Sequence, residues 1–243
     1  AKTVSHLVSL DSNFSSLPSV VKEGRRVINN LQRAMSIFLV KTVFAIVMTA
    51  IFTIWGLSNP NIIYPFEPRA MYIWEILFIG IGSLFLSLQP NDERINSKFL
   101  LNISFKIVPA AIIQILMVCF YYLIGYQVLG WDPELAKTLS IISYSVFGFV
   151  ILIGICIPFD VYRLFLTIGL GFIGAVALLA DYFALRNNSL FKINYDLLEG
   201  RLIAILFVVL LVAFGAYIGM TILSEKLHKY IDKRKEEQKY DHF

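Results

Sequence analysis

Residues 18–55, PSVVKEGRRVINNLQRAMSIFLVKTVFAIVMTAIFTIW, decide how the chain is read. Nothing after Pro18 in this stretch is a proline, and Gly24 is its only glycine, so little in it breaks a helix. As one helix it would run about 57 Å, of which a bilayer core takes about 30 Å. The first half is polar enough to stand in water, with Val20, Val21, Val27, Ile28 and Leu31 available for packing. The second half is apolar except at Lys41. The stretch therefore reads as a stalk that projects from a membrane span; a hinge at Gly24 with two separate helices is the alternative.

The rest of the chain fits a membrane protein. Of its 243 residues, 58% are hydrophobic and 16% charged, where a soluble domain has about a quarter charged. The mean hydropathy is +0.72, and the excess is segmental. Six apolar stretches approach the ~20 residues a spanning helix needs: approximately 34–57, 70–88, 105–124, 139–159, 164–185 and 202–223. The fold class is an all-α polytopic membrane protein with six transmembrane helices. Neither a nucleic-acid-binding pattern nor a signal peptide is visible, and the first residue is not Met.

Six spans place both termini on one side, and basic residues choose it. Lys22, Arg25, Arg26 and Arg33 precede the first span, Arg94, Lys98 and Lys106 follow the second, and Arg163 lies between the fourth and fifth. Lys226, Lys229, Lys233, Arg234, Lys235 and Lys239 follow the last, against Arg69, Lys137, Arg186, Lys192 and Arg201 in the opposite loops. Both ends are expected in the cytoplasm, with 224–243 a basic tail that reads as a solvated helix end. Cys119 and Cys156 lie inside spans and read as small apolar packers. His6, His228 and His242 show no metal-ligand spacing.

Ahead of the stalk, SHLVSLDSNF (5–14) suggests a short strand at 6–10, and one strand cannot fold alone. Partner strands are expected upstream. Ser15 and Ser16 with Pro18 make a plausible helix start.

These opening residues carry a resemblance. Leu10, Asp11, Asn13, Phe14, Val21, Glu23, Gly24, Arg25, Asn29 and Asn30 resemble the junction between the phosphorylation domain and the fifth membrane helix of P-type cation-transporting ATPases. The six spans then match helices five to ten of such pumps, so the resemblance covers the whole chain. FLVKT (38–42) and IGIGSLFLSLQPNDERI (79–95) look most like a bacterial subgroup linked to calcium. The resemblance implies a C-terminal piece of an ATP-driven pump: 1–17 a remnant of the α/β (HAD-like) phosphorylation domain, 18–57 the stalk and first span. It implies Mg2+ and ATP as cofactors of the full-length protein. Its partners would be the lipid bilayer, a transported cation and a missing N-terminal part with helices one to four and the actuator, nucleotide and phosphorylation domains. A bacterial plasma membrane is the implied location. The chain contains no Asp-Lys-Thr-Gly-Thr and is expected to hydrolyse nothing alone. Glu23, Gly24, Arg25, Asn29 and Asn30 would couple the stalk to the phosphorylation domain.

The resemblance also implies where ions pass. The ligand positions of calcium pumps fall on Thr42 and Ala45 in the first span, and on Glu75, Phe78 and Ile79 in the second. Only Thr42 and Glu75 keep a side-chain oxygen, with Lys41 beside them. For Lys41 two readings stay open. A lysine about 10 Å into a span can snorkel back to water. Or it stands in for a second ion and pairs with Glu75, although idealised helices set the two about 12 Å apart. Gly80 and Gly82 allow an unwound segment whose carbonyls replace the missing ligands, or simply close helix approach; this chain lacks the proline that many relatives have near Gly82. Gln114, Ser143 and Tyr144 are weaker ion-pathway candidates. Asp160 and Asp181 read as interfacial, and Asn187-Asn188-Ser189 is a glycosylation sequon by pattern alone. A stand-alone six-helix secondary transporter or accessory membrane subunit remains the alternative function.

Overall fold

A computed structural model describes residues 14–59, 62, 64–90, 99–185 and 188–240, with the side chains of 99–103, 106 and 232–240 left undescribed. The expected strand at 6–10 lies outside the described residues. Within them the chain is helical, with no strand.

The stalk and first span are one helix. α1 (Leu17–Ser58) runs 42 residues, about 63 Å, without a break at Gly24, so the hinge reading is dropped. Pro18 sits in the first turn as expected, but Ser16 caps nothing with its side chain. Its backbone is already helical (φ −79°, ψ −18°), which aims the hydroxyl away from the free N–H groups. Ser19 Oγ instead donates to Ser16 O at 2.6 Å. Burial on α1 begins at Asn30 and continues through Ile37, Val40, Phe44, Met48 and Phe52. That three-to-four spacing is the stripe of a helix with one face on a core.

The second apolar segment is short and unevenly wound. It opens with one 3-10 turn, Pro68–Met71, continues as a π-helix, Ile73–Ile81, and closes as an α-helix, Gly82–Leu88. We call Ile73–Leu88 α2. α3 covers Phe99–Phe120, accepts Pro109 inside it, and widens into π-helix at Tyr121–Val128. α4 is Pro133–Cys156, capped by Asp132, whose side chain accepts the Glu134 N–H at 2.7 Å. α5 is Val161–Leu185. α6 is Gly200–Tyr240, carrying the basic tail as a continuation of the same helix. Five of these helices are long and apolar enough to cross a membrane by length and composition; α2 is a shorter apolar helix.

α4 is the hub. It packs on all five other helices and is buried along almost its whole length, while α5 and α6 expose large apolar residues such as Phe165, Phe172, Phe207 and Val212. Such a surface suits lipid, not water. The protein is an all-α integral membrane protein.

Two glycines set how closely α2 lies on its neighbours. A Cβ at Gly148 of α4 would fall 2.2 Å from the Trp74 ring, and one at Gly174 of α5 would fall 3.2 Å from Phe78. The indole of Trp74 therefore rests directly on the α4 backbone. At the far end from the stalk, Asp181 is buried and accepts from Ser189 Oγ (2.6 Å), the Leu190 N–H (2.7 Å) and Tyr195 Oη (2.7 Å). It anchors the α5–α6 connection and is not a merely interfacial acid. Burial, with Asp181 beside it, pushes the Tyr195 phenol up. Ser189, the hydroxyl residue of the sequon, is buried and engaged in this anchor.

Candidate functional site

Lys41 and Glu75 meet. Lys41 Nζ lies 2.6 Å from Glu75 Oε1, with the two side chains 33% and 29% exposed. Lys41 is next to the buried stripe of α1, one position past Val40 and three before Phe44. Glu75 follows buried Trp74 and lies two positions before buried Leu77. Both charges thus stand at the edge of the α1–α2 seam, within the apolar lengths of their helices. Idealised α-helices would hold them apart; the π-helical winding of Ile73–Ile81 changes the axial position and direction of every side chain it carries. Trp74, pinned on Gly148, fixes the adjacent turn.

Of the two readings open for Gly80 and Gly82, an unwound segment or close helix approach, the backbone fits the second. Residues 73–81 remain helical with wider turns. A Cβ at Gly80 would lie 3.3 Å from Glu75 O, five residues back, so the glycine eases the tight approach of successive π turns. Ser83 Oγ donates to Gly80 O at 3.2 Å. Gly82 serves close approach: a Cβ there would meet Leu152 at 3.3 Å and Leu170 at 3.5 Å.

Thr42 is on the exposed side of α1, where its hydroxyl donates to Phe38 O at 2.9 Å. That leaves its oxygen lone pairs unused by any described donor, but it is not in the Lys41–Glu75 contact. Ser143 is buried against Tyr121, hydroxyl to hydroxyl at 2.7 Å. Tyr144 is buried among Phe44, Phe66 and Trp74, with ring centroids 4.8, 4.9 and 6.3 Å away. Its hydroxyl, the Trp74 Nε1–H and both polar atoms of Gln114 are buried without a hydrogen-bond partner among the described residues. Groups of that kind are costly at membrane depth. Tyr144 and Trp74 are on the same aromatic cluster that backs Glu75, and nothing in the sequence pattern singled out Trp74. Among the described residues no group of three or more His, Cys, Asp or Glu gathers as a metal cluster.

The stalk candidates divide. Asn30 is buried, and its side-chain nitrogen donates to Ser87 O (2.9 Å) and Gln89 O (2.6 Å) at the end of α2. Exposed Glu23 pairs with half-buried Arg26 at 3.2 Å, within the stalk itself. Gly24 has open space around it, and Arg25 and Asn29 are half-buried on the stalk. Asn30 is thereby tied into the bundle.

Opposite the stalk, a second charged group joins the α1–α2 connection, the start of α4 and the α5–α6 connection. Glu67 lies 3.3 Å from Lys137 and 3.6 Å from Lys192, and Lys137 also reaches Glu134 at 3.7 Å. The Lys137 hydrogen bond and charge hold the Glu67 carboxyl below its usual range.

Comparison with known proteins gives these arrangements a context. No protein-family model matches the chain, and no solved structure matches it significantly. It is 31% identical over 175 residues to "Calcium-transporting ATPase CtpE" of Mycolicibacterium smegmatis, a match covering 69% of this chain and 22% of that protein. The protein of the same name from Mycobacterium bovis is 31% identical over 179 residues, with 70% and 22% covered. "Probable cation-transporting ATPase exp7" of Streptococcus pneumoniae is 27% identical over 170 residues, with 69% and 22% covered. The chain spans about a fifth of the length of these curated relatives. By descent it is a relative of the P-type cation-transporting ATPases, matching them over roughly 70% of its own residues.

Proposed function

We propose that the chain is the membrane portion of an ATP-driven cation pump, with Ca2+ the first-choice ion, and that Lys41 and Glu75 stand in its ion pathway. The observation that carries this is the 2.6 Å contact between an ammonium and a carboxylate inside two apolar helices, in a chain whose relatives include calcium-transporting ATPases. A charge at bilayer depth costs about 2.5–3.5 kcal/mol on insertion scales, and such residues mark ion and proton routes. Pairing accounts for part of that cost, and both groups keep about a third of their surface free. Lys41 then fills the place of a second cation and limits how many ions the remaining oxygens hold. Glu75 and Thr42 supply side-chain oxygens suited to a hard cation, with Gln114, Ser143 and Tyr144 as weaker polar candidates.

In this reading residues 1–17 end a cytoplasmic phosphorylation domain, α2 is a sixth span with the other five, and both termini are cytoplasmic in a bacterial plasma membrane. The stalk of α1 exposes Val20, Val21, Val27 and Leu31, which suit packing against that domain. MgATP would be used by the full-length protein, and this chain alone would be inactive. The relatives weigh against a stand-alone secondary transporter or accessory subunit.

The test is ATP-driven 45Ca2+ uptake by inside-out vesicles containing the complete protein. Uptake that requires ATP and is lost in E75A supports the reading. Calcium accumulation that follows an ion gradient without ATP would replace the pump with a secondary transporter.

A further inference from the structure

The stalk end of α2 is tied down by side chains from two other helices. The last carbonyls of a helix have no partner within it, and here they are taken up from outside. Asn30 Nδ2 on α1 donates to Ser87 O and Gln89 O. Tyr162 Oη on α5 donates to Phe85 O at 2.8 Å. The Gln89 side chain continues the network: its Oε1 accepts from Arg163 Nε at 2.9 Å and from Arg33 Nη1 at 3.4 Å, and its Nε2 donates to Asp160 Oδ2. Arg163 completes the set by donating Nη1 to Pro158 O at 2.6 Å, with its backbone N–H on Asp160 Oδ1 at 2.8 Å. Arg163, Gln89 and Asn30 are 6%, 5% and 2% exposed.

We propose that Arg163 is a positioning residue of the transport cycle: through Gln89 it locks the stalk end of α2 to Asn30 of α1, so that displacement of the stalk moves the helix carrying Glu75. This rests on the pump reading above. A planar guanidinium with several fixed donors suits the role because it holds its acceptors in one arrangement, which a lysine does not. The lock is also short. Asn30 is 11 positions before Lys41, and Gln89 is 14 after Glu75, so α1 and α2 are joined directly at the lock and directly at the ion pair. Two joints between two helices transmit a tilt that one joint would let pivot.

The experiment compares wild type, R163Q, R163K and N30A of the complete protein in proteoliposomes, measuring Ca2+ moved per ATP hydrolysed. Alongside it, hydrogen exchange follows the backbone amides of residues 84–89. The lock predicts that R163Q and N30A each reduce ions per ATP at least threefold while ATP hydrolysis stays within twofold of wild type. It predicts R163K in between, and the N30A/R163Q double variant no worse than the poorer single. Exchange at 84–89 should quicken at least tenfold in both single variants, because each frees the same helix end. If R163Q is not recovered from membranes, Y162F removes one hydroxyl of the same cap and is read by the same two measures. Parallel loss of hydrolysis and transport at constant ions per ATP would overturn the proposal, as would an unchanged ratio beside faster exchange. A wild-type protein that hydrolyses no ATP would instead overturn the pump reading, a failure visible before any variant is made.

Discussion

Lys41 and Arg163 bring positive charge into the same bundle under opposite conditions. Arg163 is 6% exposed and surrounded: Gln89 Oε1, Pro158 O and the Asp160 carboxylate, 3.4 Å from Nε, all accept from or face it. Among the described residues Lys41 pairs with Glu75 alone, at 2.6 Å, and remains a third exposed. A buried cation held by several acceptors acts as a fastener, since removing it strands those acceptors at once. A cation with one partner and two free donors is chemically available. Glu75 mirrors this: Asp160 is bonded by Gln89 and the Arg163 backbone, whereas Glu75 touches one ammonium. The contrast separates what holds the bundle from what an ion could displace.

The largest effect that would break this comparison comes from leaving one charge of the membrane pair behind. E75A leaves Lys41 unpaired inside an apolar helix and should destabilise the protein by about 3 kcal/mol, with K41M/E75Q recovering most of it. Thermal unfolding in detergent of the three proteins checks this. If the double variant is as unstable as E75A, the pair is not the source. G148A is close behind. Its added methyl would fall within 2.2 Å of the Trp74 ring, and overpacking of that kind costs about 1–3 kcal/mol. It should also change the environment of Trp74, read as a shift in its fluorescence, and disturb Glu75 next to it.

At the fastener, N30A strands the Ser87 and Gln89 carbonyls and should cost about 1–3 kcal/mol, read by the same unfolding assay. A smaller effect is expected at Glu67, half-exposed beside Lys137. Its carboxyl is held below the usual range, so its contribution is full above the unfolded-state pKa and is lost as pH falls through the lowered folded value. Acid unfolding between pH 6 and 2 should show that loss, worth at most about 1 kcal/mol for so exposed a pair, and K137M should remove it.

Much of the helical framework is legible in residues 18–55. A polar half, an apolar half and no interior proline gave one helix, and α1 is one helix, running on to Ser58. Hydropathy likewise marks the other helices, because burial in lipid and in core both select apolar residues. The winding of α2 is not legible. A π turn leaves the apolar composition unchanged, and Gly80 alone does not distinguish a wide turn from a broken one, so the distance between Lys41 and Glu75 could not be set from spacing. Arg163 was visible only as a loop charge. Its role depends on the Gln89 side chain, 74 residues away along the chain. The role of Asp181 is not legible either, because its partners come from the following connection, folded back over the helix end.

The most direct measurement is the number of Ca2+ ions moved per ATP, and its pH dependence, by the complete protein with Lys41 intact and as K41M. If Lys41 occupies the place of a cation in the ion pathway, K41M will change the stoichiometry or shift the pH profile of ATP hydrolysis. Wild-type stoichiometry together with a wild-type pH profile in K41M would contradict the account and leave Lys41 as a charge that merely reaches water.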